Sequence, residues 1–491
     1  MTTAVADRAD AGVAVSGVSA GRRPRIVVIL PRGEAIRNFV YSGALTRLHQ
    51  RAEVVLLSVI ASAEYREQCQ RDFGGIIELA SVEDLWPVRI QRELLDMAHG
   101  RWLWSEAAQE RWRLRDLEAV SVPARAKRYG RKLFAATFAS RVGLKVLGLS
   151  ERLTSRWLKP TDMFLRLFER IRPDLVFNGS HVHSNLALQP VQAAQWLGIP
   201  TATFIFSWDN LTSQGRIIRP YDYYLVWNAD LRDQLLGIYD DVRPEQVTVT
   251  GTPQFDFHFR PEFRWSREEF CRRVGADPSR PIVLYSTGMA NHMPGEPDIV
   301  EGLAGIVRGM SGATRPQLLV RVYPKDRTGR FDGVKARLGD VLFPEVPWDP
   351  EHLTPRPEDA HLLTNTLRHA AAGVNVASTI SLELLMFDRP VVNVGYNPPG
   401  VDPAALDYAR YYRFDHYKHL VEQQAVSVAT SPAALERLLH EALADPAPAV
   451  RRGRAFIDRM FGGTLDGRSS ERVADALLGF AAARMQRAVE A

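Results

Sequence analysis

The amino-acid sequence predicts an α/β protein made of two tandem, doubly wound parallel sheets. Three observations point there. Short runs of β-branched and apolar residues alternate with helical stretches through most of the 491 residues, the pattern of parallel strands joined by helical crossovers. A linker rich in Arg, Pro and aromatic residues interrupts that alternation at about 257–280, and it starts afresh at Pro281-Ile282-Val283-Leu284-Tyr285-Ser286. The length suits two or three domains, and a 46% apolar share with 24% charged residues is that of an ordinary globular protein. The chain therefore divides into a tail at 1–22, a first domain at 23–265 with a helical insert at 88–170, and a second domain at 266–491. The last helix is free to cross back to the first domain.

In the tail, Asp7, Arg8 and Asp10 interrupt any apolar core, so a disordered segment is expected and not a signal peptide. Gly17-Val18-Ser19-Ala20-Gly21 spells a nucleophile elbow, but no strand precedes it and no helix follows. Arg25–Leu30 is a buried-strand run that stops at Pro31-Arg32-Gly33-Glu34, which reads as a site wall or as a simple turn. A helical stretch to His49 leads to strands at Glu53–Val59 and Ile76–Leu79. The insert follows, rich in Arg, Leu, Trp and Ala. From Arg111 to Arg172 it carries 16 Lys and Arg against 5 Asp and Glu, so in a chain of net charge +5 the remainder is net acidic. Its segment 124–149 can lie on an anionic membrane surface, or cover the sheet with a solvated basic face. No RNA-binding signature accompanies the charge, and nucleic acid is not an expected partner.

Strands resume at Asp174–Asn178 and Thr201–Phe206, the latter running into Ser207-Trp208-Asp209-Asn210. Tyr223–Trp227 and Gln246–Thr250 follow, then Gly251-Thr252-Pro253-Gln254-Phe255-Asp256. The second half repeats the pattern at Ile282–Ser286, Gln317–Val322, Val341–Phe343, Gly373–Ala377 and Val391–Val394. From Ser431 it is helical, with a break at Asp445-Pro446 and Ser469 or Ser470 as N-cap of the last helix. No run reaches the ~18 apolar residues of a membrane span. Two cysteines, Cys69 and Cys271, make neither a disulfide framework nor a thiolate cluster, and a cytoplasmic location is the default.

Walker, GxGxxG, HExxH and Asp-x-Asp signatures are missing, so no metal site is expected. What remains are polar residues at strand ends. In the second half these are Ser286-Thr287-Gly288, Arg321 and Lys325, and Ser378, Thr379 and Glu383 at the mouth of a helix. Together they offer amides, hydroxyls, two permanent cations and a carboxylate, an inventory for a diphosphate and a ribose held without a metal. Each has a plainer reading as well: a turn, a surface charge pair, a helix cap. In the first half, Asp209 is placed to take a proton from an acceptor hydroxyl, or merely to cap the next helix. His181 and His183, beside Asn178-Gly179-Ser180, are alternative bases or structural residues.

With these residues in place the chain resembles GT-B-type transferases, and especially CDP-glycerol glycerophosphotransferases and related surface-polysaccharide glycosyltransferases. UDP-N-acetylglucosamine 2-epimerases share the architecture. The likeness rests on Val249-Thr-Gly-Thr-Pro-Gln-Phe-Asp256, Leu319-Val-Arg-Val-Tyr-Pro-Lys325, Ala377-Ser-Thr-Ile-Ser-Leu-Glu383 with Arg389-Pro-Val-Val392, and Asp466-Gly-Arg-Ser-Ser-Glu-Arg472. It covers about residue 175 to the C-terminus and leaves the insert out. The resemblance implies that Ser378, Thr379 and Glu383 contact donor phosphates and ribose, with Arg321 nearby and a general base on the first domain. Two positions depart from the glycerophosphotransferase pattern: Ser207-Trp208-Asp209-Asn210 stands where a His-Gly-Thr-Pro turn is usual, and Tyr323 where a His is usual. Both departures favour a sugar over glycerol phosphate. The expectation is a metal-independent glycosyltransferase with a nucleotide-activated donor and a polysaccharide or glycolipid acceptor. It would be cytoplasmic, and peripheral at the inner face of the membrane if 111–172 touches lipid. A 2-epimerase, a glycerophosphotransferase and a non-catalytic membrane scaffold are the alternatives.

Overall fold

The computed structural model describes residues 22–60, 62–79, 85–158, 161–182, 185–310 and 315–490. Its first sheet has seven parallel strands: β1 (Arg25–Leu30), β2 (Glu53–Ser58), β3 (Ile77–Glu78), β4 (Leu175–Asn178), β5 (Thr201–Phe204), β6 (Tyr223–Val226) and β7 (Val247–Val249). They lie in the order β3-β2-β1-β4-β5-β6-β7. The direction of winding reverses between β1 and β4, and ligands of such sheets sit outside the carboxyl ends at that reversal. The loops after β1, β4 and β5 therefore face one crevice.

The second sheet is built from β8 (Ile282–Ser286), β9 (Gln317–Arg321), β12 (Ala372–Asn375), β13 (Val391–Val394) and β14 (Ser427–Ala429), in the order β14-β13-β12-β8-β9 and again all parallel. Between β9 and β12 stands a small antiparallel hairpin, β10 (Trp348–Asp349) with β11 (Thr354–Pro355). The run Val341–Phe343, expected as a strand, makes only a single bridge from Leu342 to Leu319. Pro344 follows at once, and a residue without an N–H cannot extend the ladder. β14 and the hairpin are too short for any periodicity to announce them.

Strands β1 and β8 are buried because both faces are covered. Ile26 to Leu30 and Ile282 to Tyr285 are all fully enclosed, which explains their continuous apolar runs. The insert between β3 and β4 folds into helices Trp86–Leu103, Glu106–Glu118, Val122–Phe138, Arg141–Leu158 and Asp162–Ile171. The stretch read as a linker is itself folded. It holds helix Arg267–Val274, whose Ser266 hydroxyl accepts from the Glu269 amide at 3.1 Å.

The last helix, Ser469–Glu490, packs on the first domain. Arg47 and Arg51 pair with its Glu471 (3.0 Å) and Asp475 (2.6 Å), and Phe480 stacks on Tyr223 at 4.0 Å. Its start is capped from helix Pro253–Phe259. The Asp256 carboxylate accepts the amides of Ser469 (3.0 Å) and Ser470 (2.8 Å) and the Ser470 hydroxyl (2.6 Å). Gly251, at φ +74°, makes room: a Cβ there would lie 2.4 Å from the Ser469 hydroxyl.

Candidate functional site

The crevice walls meet. After β1, Arg32 pairs with Glu34 at 2.7 Å, and Glu34 also pairs across the crevice with Lys325 at 2.5 Å. Burial opposes ionisation of Glu34, yet Arg32 and Lys325 together hold its carboxyl down at about 2. Gly33 lies against the second domain's hairpin so closely that a Cβ would fall 2.3 Å from a Thr354 methyl. Only glycine fits this turn.

After β5, the Ser207–Asn210 turn closes on itself as the Ser207 amide donates to the Asn210 side chain at 2.9 Å. Trp208 reaches across: its indole N–H donates to the Thr379 hydroxyl at 3.1 Å, and its ring meets His416 edge-on at 5.0 Å and Tyr417 at 5.8 Å. Asp209 accepts the Ser213 hydroxyl at 2.5 Å. Burial would raise its carboxyl, but His416 and the Ser207 and Ser213 donors outweigh that and hold it below the usual range. It is ionised at neutral pH. His416 is pushed down by burial, against the pull of Asp209 and Asp415, and its Nδ1 is buried with no hydrogen-bond partner. The carboxylate comes from the first domain and the imidazole from the second. His181, the alternative base, turns back on the sheet, with Nδ1 3.2 Å from the Phe204 carbonyl. His183 lies outside the described residues.

On the second domain, Ala377 holds a left-handed φ of 38° between β12 and helix Ile380–Met386. A non-glycine residue in that region marks local strain at a turn of this kind. The Ser378 amide donates to Asn375 at 3.1 Å while its hydroxyl accepts from the Ile380 amide at 3.3 Å. Glu383, one turn on, is mostly buried and bonded to His258 Nε2 at 2.8 Å; His258 Nδ1 in turn lies 3.1 Å from the Thr364 hydroxyl. Arg37, Gln254, His258, Asp359 and Glu383 line one small recess between the domains, with the Arg37 guanidinium 3.3 Å from Gln254.

Three of the expected anion-binding groups are not open to an anion. Arg321 is buried in an ion pair with Asp359 (2.6 Å), which also accepts the Trp348 indole N–H at 2.8 Å; its buried Nη1 has no partner among the described residues. Lys325 is spent on Glu34. The Gly288 amide donates to both oxygens of Glu296 (3.0 and 2.9 Å), where Tyr285 and Arg330 donate as well. Burial nonetheless pushes the Glu296 carboxyl up to about 7. Ser286 is buried at the end of β8, and the Thr287 hydroxyl accepts the Tyr323 amide at 2.8 Å. The physical reason is common to all three. A cation or bare amide walled in by a closed crevice is costly unless a carboxylate accompanies it.

Sequence reasoning missed Trp208 as a bridge and missed His258, His416, Asp359 and Glu296 altogether. His258 follows Asp256 by two residues and that proximity was its only signal; the others belong to no motif. Two wide recesses also went unforeseen. One of about 710 Å³ lies between the insert and the 410–414 segment; a second of about 550 Å³ is lined by Thr212 and Asp415, close neighbours of Asp209 and His416. Among the described residues no group of three or more His, Cys, Asp and Glu is placed to hold a metal ion.

No family model and no curated protein matches the sequence. Solved structures do. S. aureus MnaA, in its co-structure with UDP, superposes with a TM-score of 0.54 at 12% identity, over 92% of this chain and 96% of that one. UDP-GlcNAc 2-epimerase from Neisseria meningitidis, bound to UDP-GlcNAc, gives 0.52 at 11% identity, over 93% and 100%. At such identities the likeness is one of architecture. The chain has the GT-B fold, two Rossmann-like domains facing one cleft.

Proposed function

We propose that this chain is a metal-independent glycosyltransferase that moves a sugar from a nucleotide-activated donor to a glycan or lipid-linked acceptor in surface-polymer synthesis. The observation that carries this reading is the approach of the Ser207–Asn210 turn to the second domain, with Trp208 bonded to Thr379 at 3.1 Å and 5.0 Å from His416, near a recess of about 550 Å³ lined by Thr212 and Asp415. The donor belongs at Glu383, whose orientation His258 fixes and whose free lone pairs suit ribose hydroxyls. UDP and UDP-GlcNAc, present in the two similar structures, are the first donors to try.

Donor binding on this reading is an exchange. The diphosphate displaces Glu34 from Lys325, leaving Glu34 paired with Arg32, and takes the unused Nη1 of Arg321, so cations serve it without a metal. Asp209, ionised at neutral pH, takes the proton of the acceptor hydroxyl as that oxygen attacks the anomeric carbon, and the cations stabilise the leaving diphosphate.

A thermal-shift panel of UDP, CDP, CMP, GDP and dTDP identifies the nucleotide, since a ligand of the folded state raises Tm. Glu383→Ala should abolish that shift. Asp209→Asn should keep it and lower turnover by ~10²–10⁴-fold. No shift with any nucleotide would remove the donor assignment. A sugar-nucleotide epimerase is the second reading, favoured by the closed crevice around Glu383. Formation of a stereoisomer from a UDP-sugar alone, with no acceptor, would establish it.

A further inference from the structure

Exposed apolar side chains are concentrated on one part of the molecule. Of the 17 large hydrophobic residues exposed among the described residues, ten lie between Leu117 and Trp157. On helix Arg141–Leu158 they form a single stripe, Val142, Val146, Leu149, Leu153 and Trp157, at spacings of 4, 3, 4 and 4; Trp157 is 82% exposed. The opposite face of that helix, with Leu144, Glu151 and Ser155, is buried. On helix Val122–Phe138 the exposed residues are Val122, Tyr129 and Leu133. Scattered apolar side chains are ordinary on protein surfaces, but a continuous patch is not.

The charge on the same two helices has one sign. Between Val122 and Leu158 there are nine Lys and Arg and a single carboxylate, Glu151, which is buried against Arg92 (2.9 Å) and Arg219 (3.3 Å). Carboxylates of neighbouring elements answer part of it: Asp116 faces Arg128 and Lys132, Glu93 faces Arg131, and Asp240 faces Arg141 and Lys145. That leaves Arg125, Lys127, Arg152 and Arg156 as a surplus. A second copy of this chain would bring the same cations to the same face and be repelled. An anionic bilayer would not: it takes the apolar stripe into its interface and the cations against its headgroups.

The 710 Å³ recess continues from this face. Tyr129 and Leu133 belong to both, and five Lys and Arg line the recess against three carboxylates. Of these cations Arg413 is exposed and pairs with no carboxylate among the described residues, while Arg101 lies over the Trp104 ring at 4.4 Å. A phosphate at the head of a lipid suits that wall, and its chain can leave past Tyr129 and Leu133.

We infer that helices Val122–Phe138 and Arg141–Leu158 seat this chain on an anionic bilayer and that the 710 Å³ recess opens there to the phosphate-bearing head of a lipid acceptor. The assignment of that lipid as acceptor rests on the transferase reading; the seating does not. The full chain is sedimented with vesicles of neutral phosphatidylcholine or of phosphatidylcholine with 30% phosphatidylglycerol, at about 50 and 200 mM salt. Binding is expected to the anionic vesicles only, falling steeply with salt. Leu149→Glu with Trp157→Glu should weaken it at least tenfold, and Arg413→Glu about fivefold or more, with Tm and any UDP-induced shift unchanged. Absence of binding at low salt, equal binding to neutral vesicles, or a dimer in solution that Trp157→Glu dissolves would each overturn the inference. A missing UDP shift in wild-type protein that still sediments would instead count against the transferase reading alone.

Discussion

The cleft and the insert handle charge in opposite ways. In the cleft the expected anion-binding groups are already matched to carboxylates: Arg321 to Asp359, Lys325 to Glu34, and the Gly288 amide to Glu296. On the insert, cations outnumber carboxylates and several face solvent with none at hand. Partner-matched charge in a dry crevice is directional and sensitive to one atom. Unmatched charge on a convex surface is diffuse, additive and weakened by salt. The difference teaches that cations of one chain can be neutralised residue by residue in a closed crevice and left in surplus on a convex surface.

The sharpest way to break the contrast is to strand a cleft cation. Asp359→Ala leaves Arg321 buried without its carboxylate and should cost about 3–5 kcal/mol in denaturant unfolding. The parallel insert substitution, Lys127→Ala, should stay within about 0.5 kcal/mol. Equal costs would mean that the cleft pairs are no more than surface decoration.

A second test uses Glu296. Its folded value of about 7 lies above its ordinary 4.5, so the folded state holds the proton more firmly. That contribution is present below about pH 4.5 and is lost as pH rises through 7. Wild-type stability should therefore decline across that window, and Glu296→Gln should flatten the decline.

Glu34 gives the smallest effect and the opposite sign. Its carboxyl sits at about 2 in the fold against an ordinary 4.5, so its stabilisation is full above 4.5 and disappears as pH falls toward 2. The Tm gap between wild type and Glu34→Gln should be widest near neutral pH and close in acid. A gap independent of pH would show that the bridge to Lys325 contributes nothing.

The architecture was legible because parallel strands covered on both faces leave unbroken apolar runs, as at Arg25–Leu30 and Ile282–Ser286. Strand-end positions then pointed to Asp209, Ser378 and Glu383, whose surroundings depend on the loops that follow the strands. Their partners were not legible. His258 and Glu383 are 125 residues apart, and Trp208 and Thr379 are 171 apart; no periodicity encodes a contact made only when two domains close. For the same reason Arg321 and Lys325 read either as cations for a diphosphate or as a surface charge pair, and not as members of two cleft pairs. Sequence shows the charge, whereas the carboxylate that occupies it arrives from another element. The stripe on helix Arg141–Leu158 is the reverse case, since its spacing was visible but its solvent exposure was not.

The helix Pro253–Phe259 carries His258 on one side, toward Glu383, and Asp256 on the other, under the first turn of the returning helix. The chain thus passes between the lobes twice, near 260 and again near 465, and both passages are fastened at this one short element. Both connections between the lobes therefore depend on one seven-residue helix, and a substitution that loosened it would slacken the two crossings together.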